Sequence, residues 1–109
     1  MTNEHRQAEA YAAEASLLSQ RGDVREAAEL YRRAAVAERQ ALALVPRDQV
    51  RTWNVLAVSL ASLLYKSEAF SEAERTMTSL LESEALLPWA REELSELLEA
   101  VTDKPMAHR

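Results

Sequence analysis

Apolar residues recur every three or four positions along most of the chain, and the breaks in that rhythm mark five helical segments. The first, about 3–20, puts Ala8, Tyr11, Ala12, Ala15 and Leu18 on one narrow stripe, with Thr2 or Asn3 as its cap. It stops at Arg21-Gly22, glycine being suited to the left-handed position after a helix. The second, about 23–44, opens on the capping-box spacing Asp23-Val24-Arg25-Glu26 and ends before Pro46. Val24, Ala27, Leu30, Tyr31, Ala34, Ala41, Leu42 and Val45 form its expected inward face. In the third, about 48–66, apolar side chains from Trp53 to Tyr65 cover nearly the whole circumference. Such a helix is sandwiched by its neighbours or presents a sticky face to a partner. The fourth, about 71–83, begins at a second capping-box pattern, Ser71-Glu72-Ala73-Glu74, and buries Ala73, Met77, Leu80 and Leu81. Pro88 starts the fifth, about 88–101, whose stripe is Trp89, Ala90, Leu94, Leu97, Leu98 and Val101. The pattern predicts a single all-α domain over 1–109, built of antiparallel helical hairpins and closed by a C-terminal capping helix.

Composition narrows the chemistry. A single glycine in 109 residues is too few for the left-handed turns of a mostly β fold or for a phosphate-cradling loop. With no cysteine there is no disulfide, no thiolate zinc site and no cysteine nucleophile. The polar start, Met1 to Arg6, does not read as a secretory signal. The most apolar stretch, Val55 to Tyr65, is interrupted by Ser59 and Ser62 and falls short of the ~20 residues of a membrane span. The expectation is a cytoplasmic protein without membrane contact.

The chain also repeats itself. Ala15, Leu18, Ala27, Tyr31 and Ala34 are followed 46 residues later by Ala61, Leu64, Ala73, Met77 and Leu80. The run Gly22-Asp23-Val24-x-x-Ala27-x-x-x-Tyr31-x-x-Ala34 resembles the second half of a tetratricopeptide repeat (TPR). Tyr11 and Ala15 match that family's aromatic and small positions in the preceding helix, and Ala61, Phe70 and Ala73 match in the second copy. The period of 46 exceeds the family's ~34, which lengthens the second helix by about three turns. Short three-helix domains that bind linear motifs share a similar Ala/Tyr pattern. Whatever the family, small residues at a crossing let two helix axes approach closely.

Enzymatic signatures are missing, and no cofactor or small-molecule substrate is implied. His5 and His108 lie at opposite ends with no ligand spacing, and read as exposed terminal side chains. Glu92, Glu93, Glu96 and Glu99 fall mostly on the side of the fifth helix away from its leucines, a solvated face rather than a metal site. Charge is uneven: residues 21–51 carry seven Arg against five acids, and residues 67–101 carry nine Glu against two Arg. A net charge of −5 and the scarcity of Lys argue against nucleic acid. The uneven charge fits ordinary solvated faces, an acidic partner for the basic helix, or self-assembly.

The TPR resemblance implies a concave groove made by the first helix of each pair. It places Glu9, Ala12, Ser16 and Ser19 beside Val55, Val58, Ser62 and Tyr65. The Lys and Asn of the family's carboxylate-clamp version are absent, which leaves a small-to-apolar trough suited to the apolar face of an amphipathic helix. Trp53, at the head of the all-round apolar helix, is expected nearer a partner than Trp89. The functional expectation is a non-enzymatic interaction module, adaptor or chaperone-like, binding a protein partner in that trough. A structural homo-oligomer and a small accessory or antitoxin-type subunit are the alternatives. In the competing reading, the chain's own helices cover the trough.

Overall fold

The computed structural model describes residues 2–104, which form α1 (Asn3–Gln20), α2 (Val24–Leu44), α3 (Val50–Lys66), α4 (Phe70–Leu81) and α5 (Pro88–Thr102). The fold is all-α. α1 lies along α2, α2 packs on α3, and α3 is flanked by α4 and α5, which also pack on each other. The molecule is only 18 Å across its thinnest direction, about two helix diameters. His108 and the rest of the C-terminal tail lie outside the described residues.

α2 is buried on two sides because its contact residues are small. Ala27, Ala34, Ala35, Ala37 and Ala41 are all at most 3% exposed, so α1 and α3 both approach its axis closely. Larger side chains fill the far side of α3, where Leu60, Leu64, Phe70, Met77, Leu94 and Val101 form the main core. Val24 departs from its expected inward place: it is the first residue of α2 and is 66% exposed. α5 is more than a solvating cap, since Ala90, Leu94 and Val101 are fully buried in the shared core.

The 46-residue repeat is legible in the backbone. α1 ends at Gln20 and α3 at Lys66; α2 begins at Val24 and α4 at Phe70, each pair 46 apart. The two connecting turns have the same build. Asp23 N–H donates to Leu18 C=O and Gly22 N–H to Ser19 C=O; 46 residues on, Ala69 N–H donates to Leu64 C=O and Glu68 N–H to Tyr65 C=O. This is the Schellman pattern of a helix ended by a left-handed residue. That residue is Gly22 (φ 87°) in the first turn and Glu68 (φ 63°) in the second. The helix-starting residues that follow, Asp23 (φ −83°, ψ 63°) and Ala69 (φ −82°, ψ 64°), are nearly superposable.

This geometry corrects both capping boxes. Asp23 makes no side-chain capping bond, and α4 starts at Phe70, one residue before Ser71, with Ala69 at its cap. The left-handed residue fixes the entry of each second helix, and Phe70 is drawn into the core, edge-on to Tyr65 with ring centroids 5.6 Å apart. α3 likewise begins at Val50 rather than near Asp48. Thr2 does cap α1, accepting from His5 N–H at 3.2 Å.

Glu68 holds, with a Cβ, a conformation that costs an ordinary L-residue about 1–2 kcal/mol. Glu68→Gly is therefore expected to stabilise the protein by about 1 kcal/mol, with part of the gain offset by glycine's greater unfolded-state entropy. Chemical denaturation checks it, and a destabilised variant would contradict the shared turn geometry.

Candidate functional site

α3 and α5 run side by side in the same direction. At one end Asn54 on α3 bonds to Leu87, just before α5; at the other, the Lys104 ammonium beyond α5 lies 5.6 Å from the Tyr65 ring centroid. Between them, with α1 on the opposite side, runs an open trough of about 710 Å³. Val55, Val58, Ser59, Ser62, Leu63 and Lys66 of α3 form its floor, at the three-and-four spacing of one helix face. Ala12 of α1 supplies one side, and Trp89, Glu93, Glu96 and Leu97 of α5 supply the other. From Val55 to Lys66 the floor is about 16 Å long at 1.5 Å per residue, or three helical turns.

Of the residues expected at the site, Ala12, Val55, Val58 and Ser62 come together in this trough. Ser16, Ser19 and Tyr65 do not line it; Tyr65 packs against Phe70 instead. Trp53 lies in a different concavity with Leu42, Val45, Val50 and Ala85, while Trp89 is the tryptophan on the trough and is 41% exposed. The α5 wall was the element missed. Its signal was present: Trp89, Glu93, Glu96 and Ala100 are spaced four, three and four, a second face beside the leucine stripe.

Beneath the trough lies a polar network that the sequence pattern concealed. His5 is 9% exposed, not a free terminal side chain, and Glu38 is 1% exposed. Glu38 Oε1 lies 2.8 Å from His5 Nδ1, and Ser59 Oγ donates to Glu38 Oε2 at 2.6 Å. His5 Nε2 lies 2.9 Å from Glu9 Oε1. Since each ring nitrogen faces a carboxylate oxygen, the ring satisfies both as an imidazolium. Burial alone would lower the imidazole pKa, but the hydrogen bond and charge of Glu38, joined by Glu9, outweigh it and raise the pKa above 6.5. One buried carboxylate thus ties α1, α2 and α3 together beneath Ser59 of the floor.

The two carboxylates lie on opposite edges of the ring and do not converge on a common point. Among the described residues no cluster of three His, Cys, Asp or Glu side chains is arranged to hold a metal ion. None of the described helices is long and apolar enough to cross a membrane. No family model, curated protein or solved structure gives a match to this chain.

Proposed function

We propose that the protein is a non-enzymatic interaction module whose α1/α3/α5 trough holds an amphipathic helix of a protein partner. The observation that carries this reading is the open trough itself: α5 walls it without covering it, leaving Val55 40% and Trp89 41% exposed beside Val58 and Leu97. Every wall is the side of a helix, whose backbone N–H and C=O groups are already paired along the helix. Among the described residues there is no sheet edge to template an extended peptide, which favours an occupant that satisfies its own backbone, as a helix does. The TPR resemblance points to the same use of the face between the first helices of two hairpins.

Catalysis finds no support in the Ser59 network. The carboxylate stands between the hydroxyl and the imidazole, whereas a nucleophilic triad needs the imidazole in the middle. Ser59 also sits inside α3, where neighbouring N–H groups are committed to the helix and supply no oxyanion site.

Val58→Glu tests the trough. In the free protein the new carboxylate stays hydrated on the open floor, whereas against an apolar helix it is buried unpaired at a cost of several kcal/mol. Val58 is half-buried against the core, so the expected result is retained helical content and a modest fall in melting temperature, with loss of micromolar binding to an amphipathic helical peptide. Retained binding would remove the trough from consideration.

A further inference from the structure

We infer that the helix accepted by the trough carries lysine or arginine along the edge of its apolar stripe that faces α5. This rests on the reading of the trough as a helix site and names the chemistry of its occupant. Glu93 and Glu96 line the α5 side, both exposed, and Glu92 and Glu99 lie one step further around the same helix. None of these four carboxylates forms an ion pair among the described residues, in contrast to Glu9 and Glu38 with His5, Glu29 with Arg33 and Glu72 with Arg39. The positive group on the floor, Lys66, sits with its ammonium 5.7 Å from the Tyr31 ring centroid. The acidic edge therefore has no counter-charge of its own.

The α1 side differs in kind. Ala12 is apolar, and the nearby Glu9 is already engaged by His5. A helix in the trough thus meets carboxylates along one edge and the apolar Ala12 along the other, an asymmetry that biases its rotation about its own axis as well as its charge. A basic edge at a partly desolvated contact gains attraction and accelerates encounter, and an acidic edge is repelled.

A second copy of this chain is the poorer occupant. On its longest helix, α2, the exposed Arg25 and Arg32 share a face with Val36, whereas the other large exposed apolar residues of that helix, Val24 and Leu44, lie about 100° to either side, so α2 presents no continuous apolar stripe with a basic edge.

The test uses the full chain and two synthetic peptides of about four helical turns with the same Leu/Ala stripe, one flanked by Lys and the other by Gln. Fluorescence anisotropy of the labelled peptides is read at low and high salt. The Lys peptide is expected to bind on the order of tenfold more tightly at low salt, a preference that shrinks as salt rises. In the doubly substituted Glu93→Gln, Glu96→Gln protein, both peptides should bind with the weaker affinity. Equal binding of the two peptides to the unaltered protein would overturn the basic edge and leave the trough standing. Binding of neither would overturn both readings. A Lys preference that survives in the double variant would remove Glu93 and Glu96 from the assignment. Light scattering of the protein alone gives the last outcome: a salt-sensitive dimer lost in the double variant would make the occupant a second copy and overturn a foreign helix.

Discussion

Glu38→Ala is expected to destabilise the protein by about 3–5 kcal/mol, the range for removing one partner of a buried ion pair. The loss has three sources. Glu38 is 1% exposed, so its removal leaves a cavity between α2 and α3. His5 stays on the buried side of α1 without the carboxylate that offset its burial, and Ser59 loses its acceptor. Glu38→Gln should cost less, because the amide oxygen can still accept from one neighbour. The pH dependence separates the ion pair from simple packing. The folded imidazole pKa lies above 6.5, so the stabilisation from protonating His5 is complete below about pH 6.5 and is lost as pH rises through the higher folded value. Urea unfolding of the unaltered protein should therefore show stability declining from pH 6 towards 8. In Glu38→Ala, with burial opposed only by exposed Glu9, that decline should flatten or change sign. A variant that loses under about 1 kcal/mol and keeps the same pH slope would show the network to be incidental.

The difference between what the sequence disclosed and what it hid follows from periodicity. All five helices were readable because each buries one stripe, and the stops at Gly22 and Pro46 and the start at Pro88 are local backbone chemistry. The start at Phe70 was misplaced because the left-handed turn at Glu68, which no glycine announces, sets it. Asp23 and Ser71 look like caps, yet the turn geometry makes them unnecessary. The floor of the trough was legible from the surplus of apolar residues on α3, which no single neighbour can cover. The α5 wall was not, since Glu93 and Glu96 read as solvated residues until α5 is known to lie parallel to α3. Buried polar residues were the least visible. Glu38 is an ordinary glutamate among arginines in α2, Asn54 interrupts an apolar run, and His5 lies in a polar terminus. Each gains meaning only from a partner more than twenty positions away, a distance that local patterning does not span.

That long-range dependence makes Asn54→Ala the second large effect, expected at about 3 kcal/mol. Asn54 is fully buried and uses its amide completely: Nδ2 donates to Val50 C=O at 2.8 Å and to Ala85 C=O at 2.9 Å, while Oδ1 accepts from Leu87 N–H at 2.8 Å. The Val50 carbonyl belongs to α3 and gives up least. Ala85 C=O and Leu87 N–H belong to the loop between α4 and α5, and losing Asn54 leaves two backbone groups short of a partner, at about 1–3 kcal/mol each where they are shielded from water. The vacated volume adds a further packing loss. Leu87 is the cap of α5, so the damage falls on the helix that carries Trp89, Glu93 and Glu96. Asn54→Ala should accordingly loosen the trough wall without touching a trough residue. Amide exchange at Leu87 and through the first turn of α5 should accelerate more than exchange in the α1/α2 hairpin, and Trp89 emission should shift to the red. Affinity for the Lys-flanked peptide should fall even under conditions where far-ultraviolet circular dichroism shows the helices intact. Uniform acceleration across all five helices would instead mean that Asn54 supports global stability alone, with no particular hold on the wall.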